Sequence, residues 1–329
     1  MQSLLDPIDL DLLDNWQREL PLVSRPFEEM GSHTGCGEDM VLQRLQKMLA
    51  EGRISRVGAT CAPNTVSAST LAALSAPAED LEEVARIVGS QPGINHSYER
   101  ENLWNLWFVA TGPDRAFVDR VLDSIRRDTG LQVLDLRLVR PFNIDLGFRL
   151  DGSSDRPPVP RPVRLERLQE GDNDILQALT FGLPLCRRPY LRIADSLGRT
   201  EEQVLSRIAD LREAGIISRF GVIVRHRALG WRSNAMVVWD IESKRIDAAG
   251  PALAKLPGIT LCYERRPVEG VWPYRLYCMI HARNRQTALE TLHKASGLPE
   301  LDGVQREVLF SSRCFKQTGA LISSRGAAA

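Results

Sequence analysis

The chain has 329 residues, 43% hydrophobic and 26% charged, with 42 basic and 42 acidic side chains. That balance excludes a disordered chain and a uniformly basic nucleic-acid binder, and it supplies apolar material for at least two cores. Cys36, Cys61, Cys186, Cys262, Cys278 and Cys314 are scattered without zinc-ligand spacing, and no stretch is long enough to cross a bilayer. A cytoplasmic protein with reduced thiols and no metal site of its own is expected.

The chain repeats itself. Glu51-Gly-Arg-Ile-Ser-Arg-Val-Gly58 returns as Glu213-Ala-Gly-Ile-Ile-Ser-Arg-Phe-Gly221, and Ile94-Asn-His-Ser-Tyr-Glu-Arg100 returns as Ile259-Thr-Leu-Cys-Tyr-Glu-Arg265. Ser55 and Ser218 are 163 positions apart and Tyr98 and Tyr263 are 165 apart, a period that means a duplicated domain rather than a solenoid repeat.

In chain order, residues 1–60 read as an acidic amphipathic N-terminal helix followed by a first helix-turn-helix. Its second helix carries Val41, Leu42, Leu45, Met48 and Leu49 on one face and stops at Gly52. The Gly-rich stretch Gly31 to Gly37 is expected to disturb the turn between the two helices.

Residues 61–150 read as strand Thr70–Ala76, helix Ala78–Ser90, strand Ile94–Arg100, strand Leu103–Thr111, helix Asp114–Thr129 and strand Leu131–Phe142. This βαββαβ order predicts a ferredoxin-like antiparallel sheet with both helices on one face, which leaves the other face free for a partner or ligand. Residues 151–166, rich in proline and small polar side chains, read as a linker.

Residues 167–222 repeat the helix-turn-helix, with a helix Pro189–Leu197 and a capping box Thr200-Glu-Glu-Gln203 opening the next one, which Gly215 ends. Strand Ile217–Val224 follows. Residues 223–322 repeat the sheet domain as Arg232–Ile241, Asp247–Leu256, Ile259–Arg265, Tyr274–Ala282, Arg285–Ser296 and Val304–Phe315, and residues 323–329 read as a frayed tail. The fold class is therefore α+β: two tandem copies of a winged-helix-like helix-turn-helix domain followed by a ferredoxin-like domain.

Period-two alternation places Ile94, His96, Tyr98 and Arg100 on one side of their strand, with Ser97 on the other. The second copy keeps Tyr263 and Arg265 but has Leu261 in place of His96. Conversely His226, after the strand Ile217–Val224, matches Pro63. Each half thus carries a histidine that the other lacks. Arg56, Arg100, Arg219, Arg225, Arg227, Arg232, Arg265 and Arg266 crowd these segments, several on strands where arginine is not favoured, which suits bidentate binding of carboxylates. A Glu-Arg pair tying neighbouring strands would repeat equally well. Trp104, Trp107, Phe108, Trp231, Trp239, Trp272, Tyr274 and Tyr277 lie among these charges, where most aromatics build core but a wide flat ligand would also want them. His281 ends a strand, His293 sits on a helix, and His33 lies in the Gly-rich turn, where a local hydrogen bond explains it.

A helix-turn-helix joined to such a sheet is the layout of the Lrp/AsnC transcription regulators, and the chain resembles two such subunits fused. Glu38, Asp39, Glu201 and Glu202 occupy the helix positions that would meet DNA, where carboxylates oppose phosphate. The helix-turn-helix is read as structural, with a tetrapyrrole-sensing regulator as the alternative.

The motifs Ile-Ser-Arg-x-Gly, His96-Ser-Tyr-Glu-Arg-Glu-Asn-Leu-Trp-Asn-Leu-Trp-Phe-Val109, Val224-Arg-His-Arg-Ala-Leu-Gly-Trp231 and Phe315-Lys-Gln-Thr-Gly-Ala320 resemble the sirohaem decarboxylases, and the chain is similar to their fused D-L form from haem d1 biosynthesis. Ser97 stands where asparagine is commoner, and it faces away from His96. The resemblance implies loss of CO2 from the C12 and C18 acetates of sirohaem to give 12,18-didecarboxysirohaem. It implies no added cofactor, since iron arrives with the substrate, and a pseudo-heterodimer within one chain, leaving open a further homodimer or contact with other proteins of haem d1 synthesis. Neither DNA nor membrane is an expected partner. His96 and His226 are the candidate catalysts, and Arg100, Arg219, Arg225 and Arg265 would hold side-chain carboxylates. Tyr98 and Tyr263 would be hydrogen-bond partners, with Trp104 and Trp231 as further substrate contacts.

Overall fold

The computed structural model describes residues 6–144, 147, 150 and 161–323. Most of the expected linker and nearly all of the expected tail lie outside these residues. The first copy supplies α1 (Pro7–Asp14), α2 (Pro26–Thr34), α3 (Glu38–Ala50), β1 (Ile54–Cys61), β2 (Ala68–Leu74), α4 (Leu81–Ser90), β3 (Ile94–Arg100), β4 (Leu106–Gly112), α5 (Arg115–Thr129), β5 (Val133–Leu136) and β6 (Leu138–Asn143). The second supplies α6 (Asp172–Phe181), α7 (Pro189–Leu197), α8 (Glu201–Glu213), β7 (Ile217–Val224), β8 (Ser233–Asp240), α9 (Ser243–Ala254), β9 (Ile259–Arg265), β10 (Leu276–Ala282), α10 (Arg285–Ser296) and β11 (Gln305–Gln317). Two compact units form across the duplication, residues 1–67 with 147–229 and 319–329, and residues 68–146 with 230–318. Each contains material from both copies.

In the first unit β1 and β7 pair antiparallel with Gly58 opposite Gly221, the same motif position in each copy. A local pseudo-twofold therefore passes between the two glycines. The backbone of the opposite copy's first helical region crosses each one: a Cβ on Gly58 would lie 2.2 Å from the Leu179 carbonyl oxygen, and one on Gly221 would lie 2.2 Å from that of Trp16. The ladder is extended in the same symmetric way, with Leu183 N donating to Val57 O at 2.7 Å and Leu20 N to Phe220 O at 3.1 Å.

The turn between the helices is alike in both copies, contrary to the expectation from Gly31 to Gly37. Gly35 and Gly198 cap α2 and α7 in the left-handed conformation at φ 71° and 64°. The next helix starts with Gly37 in one copy and with the Thr200–Gln203 capping box in the other. The extra glycine at 37 removes a side-chain cap without changing the turn. His33 lies on α2 rather than in the turn, its ring edge-on to Trp16 at 5.4 Å.

The carboxylates at the N-termini of α3 and α8 are occupied by arginines. Glu38 pairs with Arg25, Asp39 with Arg187 at 2.9 Å, and Glu201 with Arg188 at 2.5 Å, while Ser24 also donates to Glu201. These acids serve contacts within the unit, in keeping with a structural helix-turn-helix.

In the second unit all nine strands form one antiparallel sheet ordered β5-β2-β4-β3-β11-β8-β10-β9-β6. The expected strand Leu131–Phe142 breaks at Arg137 into β5 and β6, which lie at opposite ends of this order. The sheet therefore folds back on itself, its first and last members joined by the chain at Arg137, with β5 paired to β2 and β6 to β9. Strand β11 makes the matching junction unbroken, pairing with its own copy's β8 through Gln305–Phe310 and with the first copy's β3 through Ser311–Gln317.

The outer face of the sheet packs on α4 and α5 through one apolar cluster and on α9 and α10 through another. The other face, which the sequence led us to expect free, is buried. Leu71, Trp107, Leu134 and Leu136 of the first copy share a cluster with Met236, Val238, Tyr277 and Leu309 of the second. Closure causes this, because one half-sheet covers the inner face of the other.

Replacing Gly58 or Gly221 by alanine sets a methyl group against a backbone carbonyl that only movement of the main chain can relieve. We expect a loss of about 2 kcal/mol or more in urea unfolding for either variant. The control Gly89→Ala, in a helix with nothing within 4 Å of the added carbon, should be neutral or slightly stabilising. Equal midpoints for all three would contradict the crossing-backbone account.

Candidate functional site

A β-bulge aims the first group of candidate residues. On β3, Ile94 lies opposite Ala110 while His96 lies opposite Val109, so Asn95 is an extra residue. Ile94 thereby joins the helix-side core, and His96 and Tyr98, opposite Val109 and Trp107, point to the closed face. This corrects the expectation that Ile94 shares a face with His96. Ser97, fully buried opposite Phe108, is on the helix side as expected. The second copy has the same bulge, with Thr260 as the extra residue between Ile259 and Leu261.

His96, Tyr98 and Arg100 form a ladder on that face. The His96 and Tyr98 rings stack at 6.3 Å between centroids, and the Arg100 guanidinium lies 5.8 Å from the Tyr98 ring. Arg100 is 6% exposed and donates through Nη1 to the Leu309 carbonyl at 3.0 Å and to Asn234 Oδ1 at 3.3 Å. Burial draws it down to about 10, which leaves it charged at neutral pH.

The second copy's ladder differs. Tyr263 is buried and stacks on Tyr277 at 5.8 Å, Arg265 lies 4.5 Å over the Tyr263 ring, and its Nη1 donates to the Leu136 carbonyl at 2.7 Å. Each Tyr-Glu-Arg arginine thus ties down the last-strand segment of the opposite copy. The glutamate between them also holds strands together, since Arg140 Nε donates to Glu264 at 2.7 Å.

No carboxylate pairs with Arg100 or Arg265 among the described residues, whereas Arg115, Arg140, Arg207 and other arginines of the chain are matched with acids. A buried guanidinium held only by carbonyls, amides and aromatic rings retains an uncompensated charge, and an anionic ligand would neutralise it.

Trp104 is half-buried on the turn before β4, its carbonyl accepting from Trp107 Nε1 at 2.5 Å. Trp231 is half-buried with the Arg283 guanidinium 5.5 Å from its ring. Trp107, Trp239 and Tyr277 are core.

The first unit holds the other candidates. His226 is buried in the single 3-10 turn His226–Leu229 that follows β7, and the Arg225 backbone N–H donates to Arg53 O at 2.8 Å. Arg219, 8% exposed on β7, faces Thr60 of β1. Burial of Arg56, and after it the Arg219 charge, push Arg56 down to about 10, and Arg56 Nη2 donates to the Ala59 carbonyl at 3.2 Å. The two arginines of the repeated Ile-Ser-Arg motif are thus brought together in this unit.

Sequence reasoning gave little weight to His281 and missed its partners. His281 Nε2 lies 2.7 Å from Asn234 Nδ2, and its Nδ1 lies 2.7 Å from Thr260 Oγ1. Burial and the Arg100 charge push it down to about 4, so it is neutral at physiological pH. Matching Leu276–Ala282 to Leu106–Gly112 pairs His281 with Thr111, a third histidine asymmetry that the repeat already contained.

Among the described residues no cluster of His, Cys, Asp and Glu is placed to hold a metal ion, and no helix is long and apolar enough to cross a membrane.

A family model of the siroheme decarboxylase NirDL-like HTH domain matches residues 9–54 and 172–217, and one of the AsnC-like ligand binding domain matches residues 66–143 and 228–316. The chain is 53% identical to the siroheme decarboxylase NirDL subunit of Paracoccus denitrificans (strain Pd 1222), covering 97% of this chain and 98% of that one. It is 44% identical to the siroheme decarboxylase NirD subunit of Pseudomonas aeruginosa over 45% of this chain and 99% of the subunit, so a separate protein there corresponds to less than half of the chain here. The crystal structure of the siroheme decarboxylase NirDL in co-complex with an iron-uroporphyrin III analogue matches with a TM-score of 0.67 at 26% identity, covering 97% of this chain and 95% of that one. The chain belongs to the siroheme decarboxylase NirDL family.

Proposed function

We propose that this protein decarboxylates sirohaem at the C12 and C18 acetates, giving 12,18-didecarboxysirohaem on the route to haem d1, in the cytoplasm and as a pseudo-heterodimer within one chain. The observation that carries the reading is Arg100: a buried cation with no carboxylate partner among the described residues, one ring away from a histidine, in a chain of this family. A multiply carboxylated macrocycle would bring the missing counter-charge. No cofactor is added in this reading, because the iron belongs to the substrate.

In each turnover the bond between the acetate methylene and its carboxylate breaks and CO2 leaves. The electron pair remains on the methylene carbon, delocalised into the macrocycle, until a proton converts that carbon to a methyl group. An imidazolium at His96 or His226 supplies the proton. Arg100, Arg219, Arg225 and Arg265 are the carboxylate-binding residues of this reading: a guanidinium on a substrate carboxylate keeps the reacting acetate in place and stabilises negative charge as it develops. Tyr98 and Tyr263 set the arginine positions by stacking, and Trp104 and Trp231 offer flat apolar surface to the ring.

Anaerobic incubation of the purified protein with sirohaem should yield a product lighter by two CO2, read by mass spectrometry. Sirohaem recovered intact would contradict the proposal. Loss of a general acid lowers turnover by roughly 100- to 10,000-fold, so His96→Ala and His226→Ala should each fall in that range with unfolding midpoints near wild type. Full activity in both variants would remove the two histidines from the chemistry.

A further inference from the structure

The hydrogen bonds around His281 have a direction that the donor chemistry fixes. A guanidinium only donates, so Asn234 must present its oxygen to Arg100 at 3.3 Å. Its amide nitrogen then faces His281 Nε2 at 2.7 Å, and that ring nitrogen must be the acceptor. The proton therefore sits on Nδ1, which donates to Thr260 Oγ1 at 2.7 Å, while the Thr260 hydroxyl donates onward to the Met279 carbonyl at 3.1 Å. From Arg100 to Met279 every group has one consistent role.

We propose that His281 is a positioning residue: as the neutral Nδ1–H tautomer it locks the Asn234 amide with its oxygen towards Arg100, and so aims the guanidinium that lies against Tyr98 and, through it, His96. A protonated His281 would set its Nε2–H donor against the N–H donor of the Asn234 amide. The amide could relieve that clash only by turning its NH2 group towards a cation.

The asymmetry of the repeat supports the assignment. In the first copy Thr111 stands at the position of His281 and donates to the Gly93 carbonyl at 3.3 Å, with Asn95 at the matching bulge. Among the described residues Arg265 makes no side-chain hydrogen bond like that to Asn234; it donates to the Leu136 carbonyl and covers Tyr263. The extra pin is given only to the arginine beside the stacked His96, and the low proton affinity of His281 keeps it in the required form. The functional consequence rests on the reading of Arg100 as a carboxylate-binding residue.

Two measurements on the full chain test this. In protein labelled with 15N-histidine at pH 7, His281 should show a protonated Nδ1 and a bare Nε2, and Asn234→Asp should move the proton to Nε2. A wild-type ring protonated at Nε2 overturns the inference whatever the enzyme does.

The second measurement is the equilibrium binding of iron uroporphyrin III. His281→Phe and Asn234→Leu should weaken it by roughly tenfold, as expected for loss of a hydrogen bond to a charged group. His281→Gln, which can still offer Asn234 an acceptor, should restore most of the affinity. Weakened binding in Arg100→Met with wild-type affinity in His281→Phe would overturn the inference and leave the role of Arg100 standing. Wild-type affinity in both would remove Arg100 from the proposed function and this inference with it.

Discussion

Each copy surrenders its last strand segment to the other, and the rest of the sheet unit depends on that exchange. The C-terminal half of β11 completes the first copy's sheet beside β3, and β6 completes the second copy's beside β9. Apolar anchors go with them: Phe315 packs into the first copy's core and Phe142 into the second's, where its ring fills the space above Gly250. Neither ferredoxin-like half has a complete sheet or core alone. Fusion in one chain makes the partner permanently available, so closure involves no loss of intermolecular translational freedom.

The exchange explains why the Tyr-Glu-Arg motif occurs twice. At each junction the arginine that ends its strand binds a carbonyl of the other copy's last strand just before the exchanged segment begins, Leu309 for Arg100 and Leu136 for Arg265. Structure alone would be served by any donor. A guanidinium does more, because it brings a charge that carbonyls only partly offset into a place where no acid among the described residues meets it. In the proposed function that charge is the substrate's handle, so one residue both closes the sheet and receives a carboxylate. The two junctions have then diverged: the first has a stacked histidine and a doubly held arginine, while the second has a buried tyrosine pair.

Much of this was legible in the residues. The duplication, the bounds of β3, β7, β9 and α10, the capping box of α8 and the family all follow from local pattern and motif. What stayed hidden was non-local. A bulge changes which side Ile94 faces without altering the alternation of residue types, and Asn95 and Thr260 look like ordinary strand positions. Nothing near Leu131–Phe142 tells that this segment would break at Arg137 and pair with the other copy, so the inner sheet face looked free when it was covered. His281 was undervalued because its partners, Asn234 and Thr260, come from two other strands. Only the fold places all three together.

The central claim is that the sheet unit buries the Arg100 charge with no acid beside it among the described residues, so that a substrate carboxylate can meet it. A crystal structure of this chain with bound iron uroporphyrin III tests that most directly. The account predicts a porphyrin carboxylate within about 3 Å of an Arg100 guanidinium nitrogen, with the bond to the Leu309 carbonyl retained. A complex in which every porphyrin carboxylate is bound elsewhere, and Arg100 keeps only its present partners, would contradict it.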